Sequence, residues 1–167
     1  SYQSDSALVY AKRSVQIALK NQNTIQITTA QLNLASILGT LGMYNQALEI
    51  LNTMESSVAP QLKGEFYWTK RIVYGGLAGY ATSVEEKNTY NQLGNENRDK
   101  AITNLSKKSP EYILAVSGQL LSQKKHDQAI ALLLPYFDTI ENSDPNRAVI
   151  AYLISENYKA KNKCVSF

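Results

Sequence analysis

The sequence predicts an all-α protein, because apolar residues recur at three- and four-residue spacing along nearly the whole chain. Alternation of apolar and polar residues, the pattern of a strand, extends over no convincing length. Short polar or glycine-containing segments separate the periodic stretches, which predicts about eight helices joined by tight turns. Since short connections join antiparallel neighbours, we expect successive helix pairs.

The helical period divides into eight segments, residues 4–22, 24–41, 44–57, 60–81, 84–107, 110–123, 126–141 and 145–160. The first is expected to follow the capping segment Ser4-Asp5-Ser6. Ser109 and Asp144 each precede a proline, an arrangement typical of a helix start because proline at the first helical position loses no hydrogen bond. Pro135 falls inside the seventh segment and predicts a kink or a break near Leu134.

Composition bounds the size and the partners of the protein. The 167 residues, 44% of them hydrophobic, are enough for one buried core, so a single domain over 1–167 is expected. The net charge of +3 is carried by scattered lysines and arginines, which do not form the basic face that nucleic acids require. No signal-peptide pattern opens the given sequence, and no apolar run approaches about 20 residues. We therefore expect a soluble chain as given, whose helix beginning almost at residue 1 indicates a fragment of a longer protein; any membrane contact would be made by segments outside it.

A helix-turn-helix pattern occurs twice. Gln46-Ala47 and Leu51 follow the turn glycine Gly42, and Gln128-Ala129 and Leu133 occupy the matching places in the second copy. Upstream, Leu34, Ala35 and Leu38 precede Ala47 by the intervals at which Val116, Ser117 and Leu120 precede Ala129. Each copy is therefore predicted to be one helix, a tight turn and a second helix.

These residues resemble the tetratricopeptide repeat (TPR), a 34-residue pair of antiparallel helices that stacks on the next pair. Residues 28–61 match well, including Tyr44 after the turn; residues 110–143 match less well, with Lys124 at the turn and His126 in the tyrosine place. Residues 62–107 form an atypical pair, and the first helix resembles the second half of an earlier unit. The resemblance implies a right-handed α-α superhelix in which Ala47 and Ala129 lie where helices cross.

In repeats of this kind, the first helices of the pairs line a concave face that receives a peptide or a partner's helix. Tyrosines beside arginine and lysine provide aromatic area and recognition of carboxylates or amides. The alternative is that some of these aromatic residues, together with Trp68, belong to the core. The candidate partner-binding surface comprises Leu32, Ser36, Tyr67, Lys70, Arg71, Tyr74, Leu114 and Leu121.

No pattern in the sequence predicts a catalytic, cofactor or metal site. His126 is the only histidine and has no nearby nucleophile or orienting acid, so packing is the expected role. Cys164 is 38 residues away, which makes a Cys/His pair improbable. The cluster Gly75 to Gly79 lacks the lysine of a phosphate-binding loop and lies in a helical pattern, which favours close packing against a neighbouring helix or a local bend.

The sequence therefore predicts a non-catalytic protein- or peptide-interaction module without cofactors. The chain resembles the TPR regions of bacterial signalling proteins, which implies a sensory or scaffolding region in the periplasm or cytoplasm of a bacterium. Two alternatives stay open. Helical repeats can bind single-stranded RNA one base per unit, although the weak charge and irregular repeat length argue against it; an uncharacterised enzyme is the other.

Overall fold

The computed structural model describes residues 2–164, with side chains described for residues 6–161. Within that range the chain forms eight α-helices and two short 3-10 helices and contains no strand, which confirms the predicted all-α class. Five of the helices begin at the predicted residue. The helices are α1 (Tyr2–Asn21), α2 (Thr24–Thr40), α3 (Tyr44–Met54), α4 (Lys63–Tyr80), α5 (Val84–Asn104), α6 (Pro110–Ser122), α7 (His126–Thr139) and α8 (Asn146–Cys164).

Two predictions at the chain ends concern side chains outside the described ones. α1 already begins at Tyr2, before the predicted capping segment, but the side chains of Ser4 and Asp5 lie outside the described ones. The same holds for the side chain of Cys164.

The connection between α3 and α4 differs from the prediction. Residues 55–57 and 60–62, predicted as parts of long helices, form 3-10 helices on either side of Val58 and Ala59, whose backbone is extended. Both residues are buried, and the Ala59 N–H donates to Oγ1 of the buried Thr28 at 3.1 Å. The α-helices are shorter than predicted because the chain leaves the helical conformation to bury this segment against α2.

Three helix-to-helix turns use one residue with positive φ, namely Gln22 (54°), Gly42 (76°) and Lys124 (58°). At Gly42, the Met43 N–H donates to Leu38 O at 2.8 Å and the Gly42 N–H to Gly39 O at 3.1 Å. The same two bonds recur 82 positions later, from Lys125 to Leu120 and from Lys124 to Leu121. This pattern is the Schellman termination of a helix. The two predicted repeats therefore share their turn geometry, although one has lysine where the other has glycine.

The predicted helix start at Pro110 is observed, and α8 begins at Asn146, one residue after the predicted Pro145. Ser109 Oγ accepts the Tyr112 N–H at 3.2 Å, and Asp144 Oδ1 accepts the Asn146 N–H at 2.8 Å. α7, by contrast, continues through Pro135 to Thr139, so the helix is not broken near Leu134, and the alternative of a kink there stays a prediction. Proline removes one backbone hydrogen bond there, and the remaining turns hold the helix together.

Contacts group the chain into two compact units, residues 1–104 and residues 105–167. The single domain proposed from the sequence stays a prediction, and each unit is described by itself. In the first, α2 contacts α1, α3 and α4, and α4 also packs against α5. Its core contains Ala47 and Leu51, both fully buried, with Leu38, Phe66 and Val73.

The second unit consists of α6, α7 and α8, each in contact with the other two. Ala115, Ala129, Leu133 and Ile150 are fully buried there. Arg147 ties α8 to the end of α7, because its Nη1 donates to Phe137 O at 2.8 Å and to Ile140 O at 2.7 Å. No helix in the described part of the chain is long and apolar enough to cross a membrane.

Candidate functional site

A continuous open groove runs between α1 and α2, which we call the α1–α2 groove. Two adjoining cavities, of about 380 Å³ and 430 Å³, form it and share Ser14, Ala30 and Asn33. The buried residues that line it are mainly alanines, and its other lining residues include serine, threonine and amide side chains. Among the residues that line it, Tyr10 is 69% exposed, Ile17 51% and Ile25 47%. The groove therefore presents apolar area to solvent.

The groove lies along the line where α1 and α2 meet, which we call a seam. It corresponds to a second seam of the same unit, between α3 and α4, that another helix covers. Shifting Ala7, Ala11, Ser14 and Ala18 of α1 by 40 positions gives Ala47, Leu51, Met54 and Val58. Those four residues are all buried in one cluster with Phe66 and Val73 of α4 and with leucines of α2. α2 thus occupies the seam between α3 and α4, whereas among the described residues no helix occupies the equivalent seam between α1 and α2.

The exposed seam between α1 and α2 has polar side chains at positions where the covered seam has apolar ones. Ser14 of the groove replaces Met54 of the covered seam, and Asn33 replaces Val73. At the end of the groove, Asn21 Nδ2 donates to Gln26 Oε1 at 3.2 Å. Polar side chains at these positions tolerate water, so the groove is stable when open, and the alanines still allow a helix to approach closely.

Two of the residues proposed from the sequence as partner-binding are buried. Leu32 is 7% exposed and belongs to the core. Lys70 is 6% exposed; its Nζ lies 5.3 Å from the centre of the Phe66 ring and pairs with Glu55 Oε2 at 2.9 Å. The expectation that both would face a partner is corrected, because the lysine stem packs on apolar surface while its ammonium group reaches a carboxylate at the edge.

Ser36, by contrast, is exposed and lines the α1–α2 groove. Leu114 and Leu121, on α6 in the second unit, are half-buried, and their role in binding stays a prediction.

Tyr67, Arg71 and Tyr74 lie along one side of α4, spaced by four and three residues, and all three are half-buried. The Tyr67 ring packs edge-on against Phe66 with centroids 5.2 Å apart, and the Lys100 Nζ lies 5.6 Å from its centre. The structure thus brings these three predicted residues together, and it makes Tyr67 partly a core residue, as the alternative interpretation allowed.

The residues of α5 that complete this region were not predicted. Gly94 and Arg98 are buried, and a Cβ placed on Gly94 would lie 3.6 Å from both Arg71 Cδ and Tyr74 Cβ. Burial and the nearby Arg98 charge both lower the pKa of Arg71. A glycine inside an otherwise polar helix was the one available signal, since such a glycine often marks a close approach.

His126 is half-buried and has a structural partner that the sequence did not reveal. Its Nδ1 lies 3.1 Å from Oδ1 of the buried Asn157, whose Nδ2 donates to Leu153 O at 2.8 Å. Because the amide nitrogen of Asn157 is already used as a donor, its oxygen accepts and His126 carries the proton on Nδ1. The described residues contain no group of three or more histidine, cysteine, aspartate or glutamate side chains that could hold a metal ion.

Comparison with known families identifies the fold. The family model described as the SusR N-terminal TPR domain matches residues 1–165, and the chain therefore belongs to this family. The resemblance to tetratricopeptide repeats inferred from the sequence is thereby confirmed. TPR domains generally act as protein-interaction modules and are generally not catalytic. No curated protein and no solved structure matches the chain.

Proposed function

We propose that the chain is the non-catalytic protein-interaction module of a bacterial regulatory protein, a sensory or scaffolding region that binds an amphipathic helix of a partner in the α1–α2 groove. The observation that carries the proposal is the seam equivalence. Between α3 and α4 the seam is filled by a helix, α2, and the same seam 40 residues earlier is open and lined by exposed apolar side chains. Membership in a TPR family supports the same class of function.

The residues that line the groove indicate which side chains a bound helix would need. Ala11, Ala18 and Ala30 leave room for two helix axes to approach to about 8–10 Å, as in other helix pairs. A partner helix with apolar residues at i, i+3, i+4 and i+7 would cover Ile17 and Ile25. Its flanking polar residues would meet Ser14 and Asn33. Reversible binding is expected, because the groove is more polar than the permanently covered seam.

The proposal is tested with a library of 16-residue amphipathic helical peptides displayed on phage and selected on the immobilised chain. Ser14→Trp places a large side chain in the groove. Gln16→Trp introduces the same residue at an exposed position of α1 that does not line the groove. We expect selected peptides to bind Ser14→Trp at least tenfold more weakly, and Gln16→Trp as tightly as the wild type.

Equal binding to both variants would exclude the groove as the docking site. Binding of single-stranded poly(U) with a steep salt dependence, in place of peptide binding, would instead favour an RNA-binding function.

A further inference from the structure

Arg71 differs from the buried cations Lys70 and Arg98 in having no acceptor among the side chains that the structure describes. Its guanidinium makes no hydrogen bond and no ion pair with any residue whose side chain is described. Arg98, in contrast, pairs with Asp99 Oδ1 at 3.0 Å and donates to Asn95 Oδ1, and Lys70 pairs with Glu55. No described side-chain nitrogen is both fully buried and without a partner, so no nitrogen of the Arg71 guanidinium is completely buried.

Two glycines leave room for the Arg71 side chain. A Cβ on Gly94 of α5 would lie 3.6 Å from its Cδ, and a Cβ on Gly75, one turn further along α4, would lie 2.6 Å from Nη1. The guanidinium therefore occupies the space that a side chain at position 75 would fill.

The surroundings of Arg71 favour an anion of single charge. Arg71 is half-buried beside the like charge of Arg98, so a bound anion would relieve an existing repulsion. Burial raises the pKa of the Tyr74 hydroxyl, as do the negative charges of Glu55 and Glu96. These two carboxylates act on the same region and would oppose a doubly charged phosphate more than a singly charged carboxylate.

We propose that Arg71 binds a carboxylate side chain of an acidic peptide segment, with Tyr67 and Tyr74 contacting the apolar side chains next to it. The planar guanidinium matches a carboxylate through two parallel hydrogen bonds, and the flanking tyrosines supply rigid contact area. This site goes beyond the α1–α2 groove and rests on the proposed function only in taking the carboxylate to belong to a partner protein.

The probe is the blocked pentapeptide Ala-Leu-Glu-Tyr-Ala, in which glutamate carries the only charge, with its glutamine counterpart as control. Binding to the full chain is measured by titration while the Nε–H signal of Arg71 is followed by NMR. We expect the glutamate peptide to shift this signal and to bind about tenfold or more tightly than the glutamine peptide, since hydrogen bonds between charged groups contribute that much. Inorganic phosphate is titrated in parallel and is expected to bind more weakly than the glutamate peptide.

Two substitutions are expected to weaken carboxylate binding by Arg71 in different ways. Arg71→Gln removes the charge, whereas Gly75→Ala retains the charge and moves the guanidinium away. Gly75→Ala is compatible with folding, because its Cβ meets only the far end of a flexible side chain and alanine favours the helix. Gly79→Ala is the matched control, since no atom lies within 4 Å of its added Cβ. We expect both Arg71→Gln and Gly75→Ala to reduce binding of the glutamate peptide about tenfold or more, and Gly79→Ala to leave it unchanged.

The proposal is overturned if the glutamate peptide does not bind, if the glutamine peptide binds equally, or if phosphate binds more tightly than the glutamate peptide. Unchanged affinity in Arg71→Gln or in Gly75→Ala would also overturn it. The result is separable from that of the groove experiment, because Ser14→Trp should leave binding of the glutamate peptide intact.

Discussion

The ring of Tyr44, the first residue of α3, lies against Gly76 of α4, where any larger residue would have its side chain. A Cβ on Gly76 would overlap the ring and lie 2.5 Å from Cζ and 2.9 Å from Cδ1. The centre of the same ring is 5.7 Å from that of Tyr80. The tyrosine of the repeat pattern thus packs on the next helix, and within the glycine cluster of α4 it is Gly76 that serves this close packing.

Gly76→Ala is expected to lower the free energy of unfolding by about 1–2 kcal/mol, because forcing a methyl group against a packed ring costs more than the helix propensity of alanine contributes. Gly79→Ala, with open space around its Cβ, is expected to raise stability by up to about 0.5–1 kcal/mol. Urea denaturation of the two variants checks both signs. A stabilised Gly76→Ala would mean that Tyr44 moves aside without cost.

Because the two repeats share a turn with positive φ, introducing glycine at one turn and removing it at the other should change stability in opposite directions. Lys124→Gly is expected to stabilise the protein by about 0.5–1 kcal/mol, because lysine is strained at its φ of 58° and glycine is not. Gly42→Ala is expected to destabilise by about 1 kcal/mol at a φ of 76°. The midpoints of thermal unfolding should shift in opposite directions, and a shift of both in the same direction would contradict the common turn geometry.

Removing either charge of the ion pair between Lys70 and Glu55 is expected to change the free energy of unfolding by a different amount. Glu55→Gln leaves a buried ammonium group without its carboxylate and is expected to cost about 1–3 kcal/mol. Lys70→Met removes the charge at similar volume and is expected to be nearly neutral. In the double variant the Glu55→Gln change should then cost little. Denaturant unfolding of the four proteins measures this coupling, and additive effects would show that the pair does not stabilise the fold.

Tyr74 predicts a loss of stability at alkaline pH. Its pKa is raised in the folded protein, chiefly by burial, so above a pH of about 10 the unfolded chain releases the phenolic proton while the folded chain retains it. The folded state then binds more protons, and stability falls as the pH rises. Tyr74→Phe is expected to reduce this fall when the free energy of unfolding is compared at pH 8 and pH 11; identical differences in the two proteins would argue against a perturbed Tyr74.

The helices themselves could be predicted closely from the sequence. α2, α3, α5, α6 and α7 begin at the predicted residues, because capping residues and the helical period act over a few neighbouring positions. The prediction was less accurate on either side of Val58 and Ala59, where residues 55–57 and 60–62 form 3-10 helices and not the predicted ends of α-helices. Burial of this segment and the hydrogen bond from Ala59 to the distant Thr28 override the local helical pattern. Of the kink or break predicted near Leu134, the break does not occur, because the helix continues through Pro135.

The sequence by itself determined the fold class, the two repeats and their turns, since helical periodicity, proline and glycine act through the local backbone. Only the tertiary structure decided which polar side chains are paired and which remain available. Lys70 and Glu55 are 15 residues apart, and Arg71 meets Gly94 on another helix. Whether a charged side chain is neutralised depends on what the fold places beside it. For that reason the open groove, and the lack of an acceptor for Arg71 among the described side chains, became visible only in three dimensions.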